Sequence, residues 1–266
     1  MRSLDFARDP SGAVAEINRW ANEKTHASIP KITDSVDPTA TLLLTNAVYF
    51  EGKWASPFDP NATASRPFYL PESRSVSVPM MRQTRDYSYL ESRKFQAIRL
   101  PYVGGEFEMC LLLPRERDYP RSAAAILAEL VEAIDDDVFQ GWMKHRDSPQ
   151  FRGTLLFPRC ELNCRRVLNP GLAQMGMQLA FDRQVADFSR ISPPPATFSL
   201  DQVIHQTILK IDEFGTVASA LTRMTLGLAP EEKFRMIVDH PYLCTIRERS
   251  NGAILFIAAV LNPAAG

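Results

Sequence analysis

Catalysis by side chains needs a nucleophile beside a base, or ligands gathered around a metal, and this sequence sets out neither. It has no Gly-x-Ser-x-Gly elbow, no phosphate-cradling glycine loop and no His-Glu-x-x-His pair. Its four cysteines, Cys110, Cys160, Cys164 and Cys244, are scattered, and three lie in apolar, strand-like runs where a thiol reads as buried packing. Cys160 and Cys164 have helical ligand spacing, but Pro158 and the alternation of Leu156, Pro158, Cys160 and Leu162 argue for a strand. With no second Cys/His pair nearby, no metal site is expected, and no cofactor is called for. His205 falls in an alternating strand, where its ordinary reading is a hydrogen-bonded core histidine.

The segment that is chemically prepared for something lies near the C-terminus. From Thr216, alternate residues are Thr216, Ala218, Ala220, Thr222 and Met224, while Val217, Ser219, Leu221, Arg223 and Thr225 take the other face of an extended chain. The first set carries no charge that burial would penalise, and the one charge, Arg223, falls in the second. Gly215 heads the run as a hinge, after the acidic pair Asp212-Glu213. β-Branched strand formers are sparse, and residues 225–233 (TLGLAPEEK) read as exposed loop. A segment patterned for burial as a strand but continuous with a loop predicts two alternative states.

The elements that must hold this segment follow from composition and pattern. The chain has 266 residues, 45% of them hydrophobic, enough for a large core, and with no break in composition one domain over residues 1–266 is expected. A net charge of -1 and the lack of a basic cluster argue against nucleic acid or an anionic membrane as partner. No apolar run approaches the roughly 20 residues that span a bilayer, and the first ten residues do not read as a signal peptide. A helix fits residues 11–24, with Val14, Ile17 and Ala21 on one side and Ser11 as its cap, and should lie on a sheet.

Residues 40–54 (ATLLLTNAVYFEGKW) read as a buried central strand. Short strands are expected at 66–70, 75–81 and 87–90, and a hairpin of 96–102 with 106–113 across Gly104-Gly105. Helix is expected over 121–144, broken at Asp135-Asp136-Asp137, then strand at 153–163, a short helix at 170–177 and strand at 198–212. Strands at 234–247 and 253–261 flank the turn Ser250-Asn251-Gly252, the last apolar on both faces and so expected in the centre of the core. The class is α+β with several mainly antiparallel sheets.

In this order the motifs INRWANEKTHASIPKI, TLLLTNAVYFEGKWASPF, VPMM, AIRLPYVGGEFEMCLLLP, LNPGLAQMGMQLAF, ADFSRIS, VIHQTILKIDEFGTVASA and DHPYLCTIRERSNGAILFIAAVLNP resemble the serpins, a family of protease-trapping inhibitors. The resemblance covers essentially the whole chain. It implies helices packed on a main sheet and an exposed reactive loop at about residues 215–234. After a protease cleaves that loop, its first part inserts into the sheet and carries the covalently attached protease with it. At ~3.3 Å per residue, residues 213–228 span about 50 Å, comparable with the roughly 45–50 Å diameter of a domain this long.

The resemblance also implies roles. Glu213, Gly215, Thr216, Ala218, Ala220 and Thr222 form the hinge of the loop. Asn46 and His205 bridge the two strands between which the sheet opens, and Trp54, at the end of the first of them, stands where the loop enters. Arg159 pairs with Glu213 at the base of the hinge. The common family spacing puts the cut between Ala229 and Pro230, but proline handicaps that bond, so cleavage after Leu228, before Ala229, is favoured. A leucine there suits chymotrypsin-like or subtilisin-like proteases better than trypsin-like ones. The family resemblance suggests an extracellular or periplasmic setting, and no catalytic activity.

Serpins are typically longer, and this sequence starts where the edge strand meets the helix over the main sheet. The earlier helices and some strands are without counterpart, which predicts exposed apolar faces on the strands at 40–54 and 253–261 and unpaired edges. Two functions follow: a covalent inhibitor of serine proteases, or a non-inhibitory serpin or inactive fragment that only binds partners or polymerises by adding loops to neighbouring sheets.

Overall fold

A computed structural model describes residues 2–115, 122–145, 148–191, 198–215 and 231–265. In chain order the elements are α1 (Pro10–Lys24), β1 (Leu42–Tyr49), β2 (Ala64–Tyr69), β3 (Ser75–Glu91), β4 (Phe95–Pro101) and β5 (Phe107–Pro114). There follow α2 (Ala123–Ile134), α3 (Asp137–Lys144), β6 (Gln150–Pro158), β7 (Cys160–Val167), α4 (Asn169–Leu172) and α5 (Gln178–Phe181). The chain closes with β8 (Leu200–Ile211), β9 (Phe234–Ile237), β10 (Tyr242–Glu248) and β11 (Ile254–Val260). These elements cluster into two compact units, residues 1–50 with 162–209, and residues 51–161 with 210–266.

The first unit is a sheet of three strands in the order β1-β8-β7, covered on one face by α1. Ile17 and Ala21 of α1 pack with Ile29, Ile32, Ile204 and Ile208, and half-buried Leu43 and Ala47 join them. The cap of α1 is Asp9, not Ser11: its carboxylate accepts the Gly12 amide at 2.8 Å, and Pro10 takes the first helical position, where a missing N–H costs nothing. The buried face is Ala13, Ile17 and Ala21 at i, i+4 and i+8, with Ala13 in place of Val14, which is half-buried. Asn18 then ties helix to loop, accepting from the amides of Ile32 and Thr33 and donating to the Thr33 carbonyl.

The second unit is an eight-stranded sheet, β11-β10-β5-β4-β3-β6-β9 with β2 paired to β3. Helices α2 and α3 cover one face, where Ile126, Leu130, Phe139 and Trp142 meet Phe95, Ala97, Leu112 and Leu243. Hydrogen bonds to buried arginines reinforce this packing: Arg99 donates to the carbonyls of Trp142 and His145, and Arg247 to that of Met143. Arg247 also holds the buried Glu108 carboxylate at 2.5 Å, so the guanidinium charge is paired where water is excluded. The hairpin of β4 and β5 turns as the two glycines required, with φ of +88° at Gly104 and +71° at Gly105.

Several strands differ from their sequence pattern. The expected strands at 75–81 and 87–90 are one, because the polar stretch Arg82–Asp86 between them is fully paired to β6. The strand expected at 153–163 divides at Arg159, where the Arg159 amide bonds the Pro79 carbonyl at 2.9 Å and the chain passes from the larger sheet to the smaller. The expected strand at 234–247 divides likewise into β9 and β10, with Pro241 between them unable to donate to a ladder. Neither β1 nor β11 is central. Each is an edge strand among the described residues, with Leu44 exposed on β1 and Ile254, Leu255 and Ile257 exposed on β11. Apolarity on both faces reports a strand able to be covered twice, and the described residues cover one face of each.

Candidate functional site

The turn that follows β8 is closed by its own backbone. Asp212 and Gly215 exchange backbone hydrogen bonds of 3.1 and 3.3 Å, and the Asp212 carboxylate accepts the Phe214 amide at 2.9 Å. Gly215 also forms an antiparallel bridge with Lys53. It therefore sits as a single residue of strand between two others, Asp212 on one side and Lys53 on the other. Its φ is +123°, and a Cβ added there would lie 2.3 Å from the Gly52 carbonyl oxygen and 2.7 Å from both Lys53 Cα and the Trp54 amide nitrogen. Only glycine fits, on two counts: the backbone conformation and the space.

Around this turn the second unit supplies a fixed frame. The Trp54 amide donates to the Phe214 carbonyl at 3.0 Å, the Phe58 amide to the Glu213 carbonyl at 2.7 Å, and the Trp54 indole N–H to the Asp212 carbonyl at 2.9 Å. The indole is buried and stacked on the Tyr102 ring with centroids 4.6 Å apart. Trp54 is thus not the last residue of β1, which ends at Tyr49, but part of an isolated bridge with Tyr102.

The Glu213 carboxylate is 4% exposed and is held by two donors, the Arg159 guanidinium at 2.5 Å and the Thr63 hydroxyl at 2.6 Å. Burial pushes its pKa up, but the Thr63 hydroxyl and the Arg159 guanidinium outweigh burial and hold the group below the ordinary glutamate range. Arg159 itself is 46% exposed, so one charge of the pair keeps its water. Thr63 is a partner that sequence reasoning missed; it is separated from Glu213 by most of the chain, and no local pattern announces it.

In the first unit, β1 and β8 run parallel in direct contact, matched from Leu43↔Gln202 through Asn46↔His205 to Tyr49↔Ile208. Asn46 and His205 are thus neighbours across the seam, on the face opposite α1. The hydrogen bond of the His205 ring goes to Thr207 Oγ1, two residues along its own strand, at 2.7 Å, and none joins it to Asn46 among the described residues. Asn46 is exposed.

The residues expected to hinge, insert and be cleaved, Thr216, Ala218, Ala220, Thr222, Leu228 and Ala229, lie outside the described residues. Among the described residues no group of three or more His, Cys, Asp or Glu side chains gathers as a metal site. Cys110, Cys160 and Cys244 are buried and Cys164 is exposed, all as free thiols. Burial pushes the Cys110 thiol up to about 12 and Cys160 to about 11, far from any nucleophilic range.

A family model described as Serpin (serine protease inhibitor) matches residues 1–263, running through both units. An uncharacterized serpin-like protein of Thermococcus kodakarensis is 34% identical over 269 residues, covering 100% of this chain and 60% of the relative. The leukocyte elastase inhibitor of Homo sapiens is 33% identical, covering 99% of this chain and 70% of the relative. Among solved structures, human thyroxine-binding globulin complexed with thyroxine superposes with a TM-score of 0.82 at 25% identity, over 98% of this chain and 67% of that one. Native protease nexin-1 with heparin gives a TM-score of 0.80 at 26% identity, over 98% and 69%. The chain therefore spans 60–70% of the length of these proteins.

Proposed function

The chain belongs to the serpin family, and on that premise we propose that it works as a covalent trap for serine proteases: the segment after Gly215 is cut as bait and then inserts as a strand between β1 and β8. The observation that carries this reading is the double pairing of Gly215, antiparallel with Lys53 on one side and with Asp212 on the other. Lys53 lies on the chain running on from β1, and Asp212 on the chain running on from β8.

Extending both pairings without a bulge, Thr222 comes opposite Asn46 on the β1 side and opposite His205 on the β8 side. Those two residues are themselves matched across the seam, so the registers, drawn from different parts of the chain, agree with each other. That agreement supports a third strand in this place. The same register sets Thr216, Ala218, Ala220, Thr222 and Met224 on the face of β8 that carries Ile211, Leu209, Thr207, His205 and Val203, of which Ile211, Leu209 and Val203 are buried.

The energetics favour insertion. β1 and β8 are parallel, so a strand antiparallel to both replaces one parallel ladder by two antiparallel ones, the better-bonded arrangement. A net gain of roughly ten backbone hydrogen bonds, at ~1 kcal/mol each, stabilises the inserted state by an amount on the order of 10 kcal/mol. Cleavage is required first, because an intact loop is tethered at both ends.

Leu228 is the residue we assign before the cut, which favours chymotrypsin-like or subtilisin-like proteases over trypsin-like ones. Incubation with chymotrypsin, subtilisin and trypsin should yield with one of the first two a complex that survives denaturing electrophoresis, and a released peptide beginning at Ala229. Complete cleavage without such a complex would refute the trap. A second reading, strand addition to a neighbouring copy without inhibition, is favoured by the edge position of β1 and its exposed Leu44. Growth of oligomers without added protease supports it.

A further inference from the structure

The β1–β8 seam has an irregularity at one end. The register is regular from Leu43↔Gln202 onward, but the pair before it is Leu42↔Leu200, so Asp201 is an extra residue on β8. A bulge of this kind re-aims a side chain, and here it turns the Asp201 carboxylate across the seam toward β1. Oδ2 accepts the Thr41 amide at 2.5 Å, the Thr41 hydroxyl at 3.1 Å and the Leu42 amide at 3.1 Å. Oδ1 accepts Arg183 Nη2 at 2.8 Å, and the same nitrogen bonds the Thr39 carbonyl at 3.0 Å. The Thr41 hydroxyl adds a bond to the Ser199 carbonyl at 2.9 Å.

On the other side of β8, Asn169 donates to the Asp201 carbonyl at 2.8 Å and accepts the Val203 amide at 2.9 Å. The start of β8 is therefore fastened on both sides, by Asn169 of α4 on one and, at β1, by side-chain bonds on an ionised acceptor alongside the ladder pair Leu42↔Leu200. Consistent with that, Asp201 is held below the ordinary aspartate range: burial raises it, but the Thr41 amide, Arg183 and the Leu42 amide outweigh burial.

We propose that Asp201 is a latch that decides how far an inserting strand can travel, a positioning residue for the strand insertion on whose reading this inference rests. In the register set by Gly215, Leu226 comes opposite Leu42 and Asp201, and Gly227 comes opposite Thr41 and Leu200. Insertion as far as Met224 leaves the carboxylate and its donors in place. Insertion through Leu226 and Gly227 requires the Asp201–Thr41 and Asp201–Leu42 bonds to part. The latch therefore acts on the last step of insertion and not on the first.

Two synthetic peptides separate these steps, one with the sequence of residues 216–223, which stops short of the latch, and one with that of residues 216–228, which passes it. Each is labelled with a fluorophore and its rate of annealing to the intact chain is followed by anisotropy. Asp201→Ala should accelerate the long peptide about tenfold or more, tenfold being the effect of losing just one of its charge-assisted hydrogen bonds from a barrier, and leave the short peptide unchanged. Asp201→Asn, which keeps an acceptor, should fall between. Arg183→Gln, altering an exposed side chain and leaving Thr41 in place, should give a smaller acceleration of the long peptide alone. Equal acceleration of both peptides marks general loosening and overturns the latch, as does no change in either. Annealing of neither peptide to any variant refutes strand insertion itself, and the latch with it.

Discussion

Replacing Glu213 by glutamine tests whether the turn after β8 is held by charge or by shape. Glutamine is nearly the same size and keeps an acceptor for the Thr63 hydroxyl, now 2.6 Å away, but it gives up the ionised partner of Arg159. The Arg159 guanidinium is 46% exposed, so the lost pair is worth less than a buried one. A charge-assisted bond to a buried acceptor with that discount comes to about 1–2 kcal/mol. The loss should appear locally as faster hydrogen exchange at the Phe58 and Trp54 amides, which donate to the Glu213 and Phe214 carbonyls. Acceleration of about tenfold at neutral pH corresponds to the middle of that range.

The pH dependence has a definite sign. The pKa of Glu213 is lowered in the folded chain, so its contribution is complete above the ordinary glutamate value, about 4.3, and is lost as the pH falls through the lower folded value. Exchange in Glu213→Gln and in the unmodified chain should therefore differ at pH 7 and converge in strong acid. A gap that does not narrow at any pH below the ordinary glutamate value, or a glutamine variant as protected as the parent at pH 7, would refute the assignment of this hold to the carboxylate charge.

Gly215→Ala should destabilise the turn by about 2–4 kcal/mol, from positive-φ strain and the loss of bonds around a Cβ that overlaps the 52–54 backbone; a denaturation midpoint equal to the parent's would contradict this. Ala218→Glu should convert a trap into a substrate, because the extended register sets residue 218 opposite Leu209, which is 1% exposed; undiminished complex on denaturing gels would show the face assignment to be inverted. A thiol reagent should titrate Cys164 alone in the folded chain and all four cysteines after unfolding; rapid reaction of a second thiol in the folded state would contradict the burial of the other three.

Features set by a few adjacent residues were legible in the sequence. The paired glycines 104 and 105 announced their hairpin, and the triple aspartate at 135–137 the break between α2 and α3. The family resemblance supplied the Glu213–Arg159 pair, whereas the strand expected from the alternation after Gly215 lies outside the described residues. What the pattern misjudged was coverage: β1 and β11 are apolar enough to be central, yet both are edges among the described residues. The cap of α1 was missed by two residues, although Asp9-Pro10 carries the preferred cap and first-turn pair.

By itself the sequence predicted a segment with an uncharged face after Gly215, because side-chain parity and glycine's freedom are properties of neighbouring residues. It could not determine which distant residues the turn and the strands would meet. Thr63 beside Glu213, Lys53 beside Gly215, Thr41 beside Asp201 and Asn46 opposite His205 join residues far apart in the chain. Only the packed backbone brings them side by side, since a contact over about 3 Å carries no mark in sequence of what lies at its other end. Tertiary structure decided these partners and the register of β1 on β8, the ground on which the proposed insertion and its proposed latch both rest.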